Sequence, residues 1–322
     1  MSGIKENPTA PVEDNRRANP ALARLAEPGP SARAVLASYE RRARRPMLPG
    51  RTRRIVWREW GEGDPVVLLH GSAGSWAHWI RTIDALADRH RILIPDLPGC
   101  GDSDDPEPPG DYASITDALA HDIAALAGPG QALRLVGFSL GAQFAMRLAL
   151  HGTLDTEQLV IVGSNVADRR GRTGQSSLVN WTRAETEAEA LAALRANLNS
   201  MMLADPANID PLALELYVAD VVRCRMRLPS LGPFRPMVEA IPDLAPHIRL
   251  TAVSGARDQI FAEVLPHQQA SLDRLRPGAR FHLLPDAGHW VMYESADAFN
   301  RLLRDTLAPH DDGHPPARPT QP

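Results

Sequence analysis

Leu135-Val136-Gly137-Phe138-Ser139-Leu140-Gly141 is an apolar run that ends in Gly-x-Ser-x-Gly and continues into a helical pattern over residues 142–150. A serine at the tip of a sharp strand-to-helix turn sits in strained backbone. Small residues two before and two after it let strand and helix approach closely enough to make that turn. Gly137 and Gly141 supply the space. The pentapeptide alone occurs by chance in many chains. With an apolar strand before it and a helix after it, the stretch reads as a nucleophile elbow.

Outward from the elbow, short apolar runs alternate with helix-period segments, the rhythm of a mainly parallel sheet with helices on both faces. The pattern predicts strands over 54–60, 65–70, 91–96, 133–138, 159–163, 249–254 and 280–284, and helices over 76–87, 114–127, 140–151 and 296–307. From residue 166 to about 246 no strand is evident, and helix-like runs fall at 185–202 and 211–226. About 80 structureless residues do not fit a compact domain, so this segment is expected to be a helical cap (166–246) between two core segments (31–165 and 247–308). Residues 31–45 form an additional basic helix from a serine cap to Pro46. The proline-rich ends, 1–30 and 309–322, are expected to be disordered.

At 322 residues and 43% hydrophobic content the chain can bury a full core. It has no apolar run long enough for a membrane span and no signal-peptide apolar region at its start, so it reads as soluble and cytoplasmic. Cys100 and Cys224 stand far apart in unrelated contexts, which argues against a disulfide framework, a metal cluster or a redox pair; both are expected to be reduced thiols. His310 and His314 lie in the tail without thiolate or carboxylate neighbours and receive no metal role. Residues 1–58 carry 13 basic groups against 5 acidic ones, with a peak at Arg41, Arg42, Arg44 and Arg45. No aromatic interleaving or binding-fold signature accompanies them, so a solvated helix is favoured over a nucleic-acid surface.

An activated serine needs a base, an orienting acid and oxyanion donors. In chain order after Ser139 come Asp258, in Ser254-Gly255-Ala256-Arg257-Asp258, and His289, in Asp286-Ala287-Gly288-His289-Trp290, each just past a predicted strand. In an open parallel sheet, groups beyond the carboxyl ends of strands converge on one edge. Asp258 alone reads equally as a cap for the segment from Ile260. Asp286 competes as the acid but sits three residues from His289, too close on one loop to orient the ring. His78 and His282 fall within a helical and a strand pattern and are assigned to packing or surface.

Together with Leu68-Leu69-His70-Gly71-Ser72 and Pro95-Asp96-Leu97-Pro98-Gly99-Cys100-Gly101-Asp102-Ser103, these motifs resemble the α/β-hydrolase-fold serine hydrolases from about residue 53 to 307. The resemblance implies an α/β fold with a helical cap inserted after the sixth core strand. It implies Ser139 as nucleophile, His289 as base and then acid, and Asp258 as the group that fixes the imidazole. It also implies an oxyanion hole from the backbone N–H groups of Ser72 and Leu140. His70 and Asp96 read as structural, and Cys100 as packing. Ala73, Trp76, Phe138 and Trp290 are candidates for an apolar substrate pocket, with core packing an equal alternative for the aromatics. No cofactor and no metal are implied; the expected partner is a small-molecule substrate, with no nucleic acid, and a homodimer is possible.

A serine nucleophile removes the branches that work through an aspartyl ester. The first reading is a hydrolase of small or medium carboxylic esters or lactones, acting through an acyl-enzyme. The alternative is a carbon–carbon bond hydrolase of the meta-cleavage type, similar in the segments 69–74 and 288–300. Against that alternative, Phe138 stands where the group has Asn, Leu140 where it has Met, and Leu216 where it has an arginine on the cap; Arg195, Arg223 or Arg225 are the substitutes the sequence offers. A non-catalytic ligand-binding protein on the same fold is the reading from another class, and an acyltransferase is compatible with the cap.

Overall fold

The computed structural model describes residues 22, 24–50, 52–167, 178–233 and 235–308. Seven strands form one sheet: β1 (Trp57–Trp60), β2 (Asp64–Leu69), β3 (His90–Pro95), β4 (Leu133–Phe138), β5 (Thr156–Val162), β6 (Arg249–Gly255) and β7 (Arg280–Leu284). Their order is β1-β3-β2-β4-β5-β6-β7, and only β1 runs antiparallel to its neighbour. The longer helices are α1 (Pro30–Arg42), α2 (Tyr112–Ala127), α3 (Leu140–Leu150), α4 (Glu187–Met201), α5 (Pro211–Arg223), α6 (Leu265–Leu275) and α7 (Ala296–Leu307).

The central strands are buried on both faces, so their sequences read as unbroken apolar runs, yet their side chains divide with period two. Val67, Leu69, Leu93, Leu135, Leu159 and Ile161 enter the cluster that contains Ile115, Leu119 and Ile123 of α2, Phe144 of α3 and Leu272 of α6. Val66, Leu68, Ile92, Ile94, Val136, Val160 and Val162 enter the opposite cluster, with Ile83, Leu86 and Phe299, Leu303 and Leu307 of α7. Each fully buried Val, Leu or Phe contributes about 1.5–3 kcal/mol. This double burial holds the β4–α3 turn rigid between neighbours on both sides.

Several expectations change. The described segment between β5 and β6 holds α4, α5 and short helical turns and no strand, so the insertion follows the fifth of seven strands rather than a sixth. The run 76–87 is split into a tight turn, Trp76–Trp79, capped by Ser75, and a single helical turn, Ile83–Leu86. Trp76, Ala77, His78, Trp79 and Ile80 are buried on every side, so the segment lacks the polar face of an ordinary surface helix. α6 was not anticipated; its apolar residues are few and Pro266 stands in its first turn.

Leu22 and Leu25 pack with Trp181, Ala190, Leu194, Val218 and Val222, so part of the supposedly disordered stretch 1–30 is a strap on the inserted helices. The rest of that stretch and the tail 309–322, with His310 and His314, lie outside the described residues. α1 packs on α5, where the Ala32 N–H donates to Glu215. Basic residues at and after its end are taken up in ion pairs, Arg42 with Asp84, Arg44 with Glu59 and Arg45 with Glu40. Among the described residues, no helix is long and apolar enough to cross a membrane.

Arg58 is fully buried and its guanidinium contacts Glu40, Asp96 and Asp102. Asp96 in turn accepts the N–H groups of Trp76 (2.8 Å) and Asp102 (2.9 Å), which pins the loop after β3. Removing the cation strands the buried Asp96 carboxylate. Arg58→Met is therefore expected to cost about 3–5 kcal/mol, read as a shift of the urea midpoint at unchanged slope.

Candidate active site

Ser139 adopts φ 52° and ψ −114°, and Ala73, in the loop after β2, adopts φ 50°; among the described residues these are the only non-glycine residues with positive φ. Such strain costs about 1–3 kcal/mol and persists only where surrounding structure over-determines it. At Ser139 the determinants are visible. Its N–H donates to Val162 O (2.9 Å) at the end of β5. A methyl on Gly137 would lie 2.4 Å from Gly141 O, and one on Gly141 would lie 2.3 Å from Leu69 O, so both glycines are required by close backbone approach.

His289 and Asp258 are brought together as the sequence order suggested. His289 Nδ1 is 2.7 Å from Asp258 Oδ2, and both side chains are buried. The other carboxylate oxygen, Oδ1, accepts the N–H groups of Ile260 (2.9 Å) and Phe261 (3.4 Å). The turn-capping role and the histidine-orienting role of Asp258 are thus both present, one on each oxygen. The loops that carry the pair are laced at their bases: Arg257 N–H donates to Ala287 O (2.9 Å), and a methyl on Gly255 would lie 2.1 Å from Gly288 O. The His289 ring stacks at 4.9 Å from Phe138, the residue before Ser139, and lies beside Gly163 at the end of β5. Asp286 is exposed, unlike the buried Asp258–His289 pair.

The expected oxyanion donors flank the elbow. Leu140 begins α3, where first-turn amides have no acceptor within the helix. Ser72 follows Gly71, whose Cα is so near Ser139 that an added methyl would lie 3.3 Å from the Ser139 Cβ. His70 Nε2 accepts the Leu97 N–H (2.8 Å), so the ring carries its proton on Nδ1, which donates to Gly71 O (2.8 Å). That is the structural role expected of it.

His78 is more than a packing residue. Its Nδ1 accepts the Gly71 N–H (3.3 Å), its ring fills the space a side chain on Gly74 would need, and its carbonyl accepts the Trp290 indole N–H (2.9 Å). Burial holds its pKa well below the ordinary imidazole value, helped by the neighbouring His70 and His289, so it stands neutral behind the loop that follows β2. Of the four pocket candidates, Phe138 and Trp290 gather around His78 and His289, and Ala73 sits at the strained loop. Trp76 does not join them. Its ring packs against Tyr39, Trp60 and the Arg58 guanidinium, because its N–H is tied to Asp96 on the far side of the loop.

Two carboxylates were not legible in advance. Glu294 accepts the N–H of Gly288 (2.6 Å), next to His289, and those of Ala204 (3.0 Å) and Asp205 (2.9 Å) in the insertion. It therefore fastens the histidine loop and the insertion to one point. Asp220 of α5 accepts the Ser75 hydroxyl (2.9 Å), joining the insertion to the loop that follows β2, and burial pushes its pKa up to about 8. No short motif marks either residue.

A carboxyl raised in this way stabilises the fold fully below its unfolded pKa of about 3.9, and that contribution is lost as pH rises toward the folded value. Asp220→Asn keeps an acceptor for Ser75 without the ionisation. Its advantage in unfolding free energy over the parent is expected to grow by up to about 1.4 kcal/mol per pH unit from pH 4 to about 8 and then level, as denaturant titrations at each pH would record.

The arginines offered as substrate ligands are otherwise engaged. Arg223 binds Asp102 (2.6 Å) and Gly101 O, Arg225 binds Asp105 (2.8 Å) and Ser103 O, and Arg195 is exposed. Leu216 is buried in the apolar cluster under the insertion.

A family profile described as alpha/beta hydrolase family matches residues 66–302. A 2-hydroxy-6-oxononadienedioate/2-hydroxy-6-oxononatrienedioate hydrolase of Escherichia coli O139:H28 is 29% identical over 278 residues, covering 80% of this chain and 92% of the relative. Among solved structures, the esterase RhEst1 from Rhodococcus sp. ECU1013 aligns with TM-score 0.66 at 25% identity, over 82% of this chain and 98% of that one. A meta-cleavage product hydrolase from Pseudomonas fluorescens IP01, CumD, aligns with TM-score 0.64 at 24% identity, over 79% and 94%, and at that identity speaks for the fold alone.

Proposed function

The chain belongs to the alpha/beta hydrolase family, and on that premise we propose that it is a serine hydrolase of small or medium carboxylic esters or lactones, with Ser139 as nucleophile, His289 as general base and acid, and Asp258 as orienting acid. The observation that carries this reading is the buried 2.7 Å contact of His289 Nδ1 with Asp258 beside a serine held in strained backbone. A carboxylate on Nδ1 keeps that nitrogen protonated and leaves Nε2 free to take the Ser139 proton as Oγ attacks the acyl carbon. The tetrahedral oxyanion would be met by the Ser72 and Leu140 amides, each worth roughly a hundred- to thousandfold in rate. His289 then returns the proton to the leaving alcohol, water enters by the same route, and the acid departs. The inserted helices α4 and α5 serve as the cap over this site, with Glu294 and Asp220 among their fastenings.

The ester is favoured over the carbon–carbon substrate by what surrounds the serine. A meta-cleavage dienoate brings a carboxylate and an ionisable enol, and burying such charge without a partner is costly. Arg223 and Arg225 are committed to Asp102 and Asp105, Arg195 is exposed, and the groups gathered around His289 are Phe138, His78, Trp290 and Phe261. The second reading, carbon–carbon hydrolysis, is supported by the name of the Escherichia coli relative and by Trp290 directly after His289.

A series of p-nitrophenyl esters, assayed in parallel with a meta-cleavage dienoate, separates the two. The expected result is a kcat/KM for the acetate-to-octanoate series at least tenfold above that for the dienoate. Faster dienoate loss reverses the order of the readings.

A further inference from the structure

We propose that Cys100 and Cys224 form an oxidisable dithiol whose disulfide locks the helical insertion to the core loop that follows β3. Their contexts in the sequence are unrelated, yet their sulfurs lie 4.0 Å apart in the fold, 124 residues distant along the chain. This overturns the expectation that they stand apart.

The approach is built by the backbone. α5 ends at Arg223, and the chain leaves it extended at Cys224. On one side of the sulfurs the N–H groups of Arg225 (2.7 Å) and Met226 (3.1 Å) both donate to Gly99 O. On the other side the Arg223 guanidinium donates to Gly101 O (3.3 Å) and to Asp102 (2.6 Å). Arg225 continues the clamp at Asp105 and Ser103 O. Gly99, at φ 80°, leaves no room for a side chain because Met226 N would lie 3.0 Å from it. The two segments are thus fastened one residue before and one residue after the thiols. A disulfide needs the sulfurs at about 2.05 Å, a closure that rotation about the two Cα–Cβ bonds can supply when the backbones are already paired.

Both thiols are buried, Cys100 completely and Cys224 with 8% exposure, so exchange begins at Cys224. The Cys224 thiolate attacks a low-molecular-weight disulfide, RSSR, and displaces one RS⁻, leaving a mixed disulfide. Cys100 then gives up its proton and attacks the Cys224 sulfur, displacing the second RS⁻. The two protons end on the two thiolates released, so that dithiol and RSSR become the protein disulfide and two RSH, with two electrons passed to the oxidant. The resulting link closes a long loop and restricts the unfolded chain.

The test is incubation of the full chain with oxidised glutathione, followed by thiol titration in denaturant, a non-reducing proteolytic map and thermal melting. The expected result is loss of both thiols, one linked peptide pair containing Cys100 and Cys224 in a monomeric protein, and a melting temperature raised by roughly 5–10 °C that dithiothreitol reverses. Cys100→Ser and Cys224→Ser each abolish the rise. Two intact thiols, a glutathione adduct without the internal link, or cross-linked dimers overturn the proposal. A linked pair without a change in melting overturns the lock.

Discussion

Replacing Ser139 by alanine is expected to lower kcat on a p-nitrophenyl ester by about 10⁵–10⁶, because the three groups of the triad act as a unit and the remaining catalysis comes from binding and oxyanion donors alone. The fold should survive, since the turn is held by backbone contacts: Val162 O with the Ser139 amide, and the close approaches at Gly137 and Gly141. A companion variant separates chemistry from strain. At φ 52° and ψ −114° a Cβ is disfavoured, so Ser139→Gly should be inactive as well, yet more stable than Ser139→Ala by about 1 kcal/mol. Denaturant midpoints of the two variants, compared at equal slope, measure that difference. Equal stability would mean that the elbow stores no backbone strain.

The second large effect is expected at Asp258. Asp258→Asn preserves the shape of the side chain, and Oδ1 can continue to accept the Ile260 and Phe261 amides, so the loop should remain ordered. The amide nitrogen, however, would face His289 Nδ1 in place of Oδ2 and donate to it. That moves the ring proton to Nε2, which can then no longer accept from Ser139. The expected result is a fall in kcat of about 10³–10⁴ with little change in KM. A KM effect without a kcat effect would assign Asp258 to substrate binding and remove it from the role proposed for it.

The sheet was legible because its strands carry continuous apolar runs, and the sequence order Ser139, Asp258, His289 pointed to a site at its carboxyl edge. The Asp258–His289 contact follows from local geometry: each residue lies a few positions past a strand, and β6 and β7 are neighbours. What escaped was everything decided by long-range packing. His78 is two residues from Trp76 in sequence, yet one enters the wall behind Gly71 and Gly74 while the other stacks on Trp60. Their shared hydrophobic surroundings carry no label for which is which. Glu294 and Asp220 look like ordinary helix carboxylates until the backbone amides and the hydroxyl they accept, tens of residues away, are in view. Leu22 and Leu25 belong to a stretch whose composition suggests disorder, and only the inserted helices supply the surface that orders them. The two cysteines are the extreme case, brought together by a clamp of main-chain bonds around Gly99 that no spacing rule encodes.

These fastenings join the inserted helices to the core at several points. The insertion is tied to the loop after β2 through Asp220 and Ser75, to the loop that carries His289 through Glu294 and through the Trp290 amide on Met202 O (2.7 Å), and to the loop after β3 through residues 223–226. The loop after β2 and the loop that carries His289 therefore have anchors on the same helical segment.

The central claim is that Ser139 is an activated nucleophile, and the most direct test is covalent capture. The protein is incubated with a fluorophosphonate at neutral pH, digested, and the modified residue located by mass spectrometry, with Asp258→Asn and heat-denatured protein as controls. The expected result is stoichiometric phosphonylation at Ser139, much slower in Asp258→Asn and absent after denaturation. An unlabelled Ser139 in folded protein, or a label at another serine with Ser139 untouched, would contradict it and leave a ligand-binding protein on a hydrolase fold.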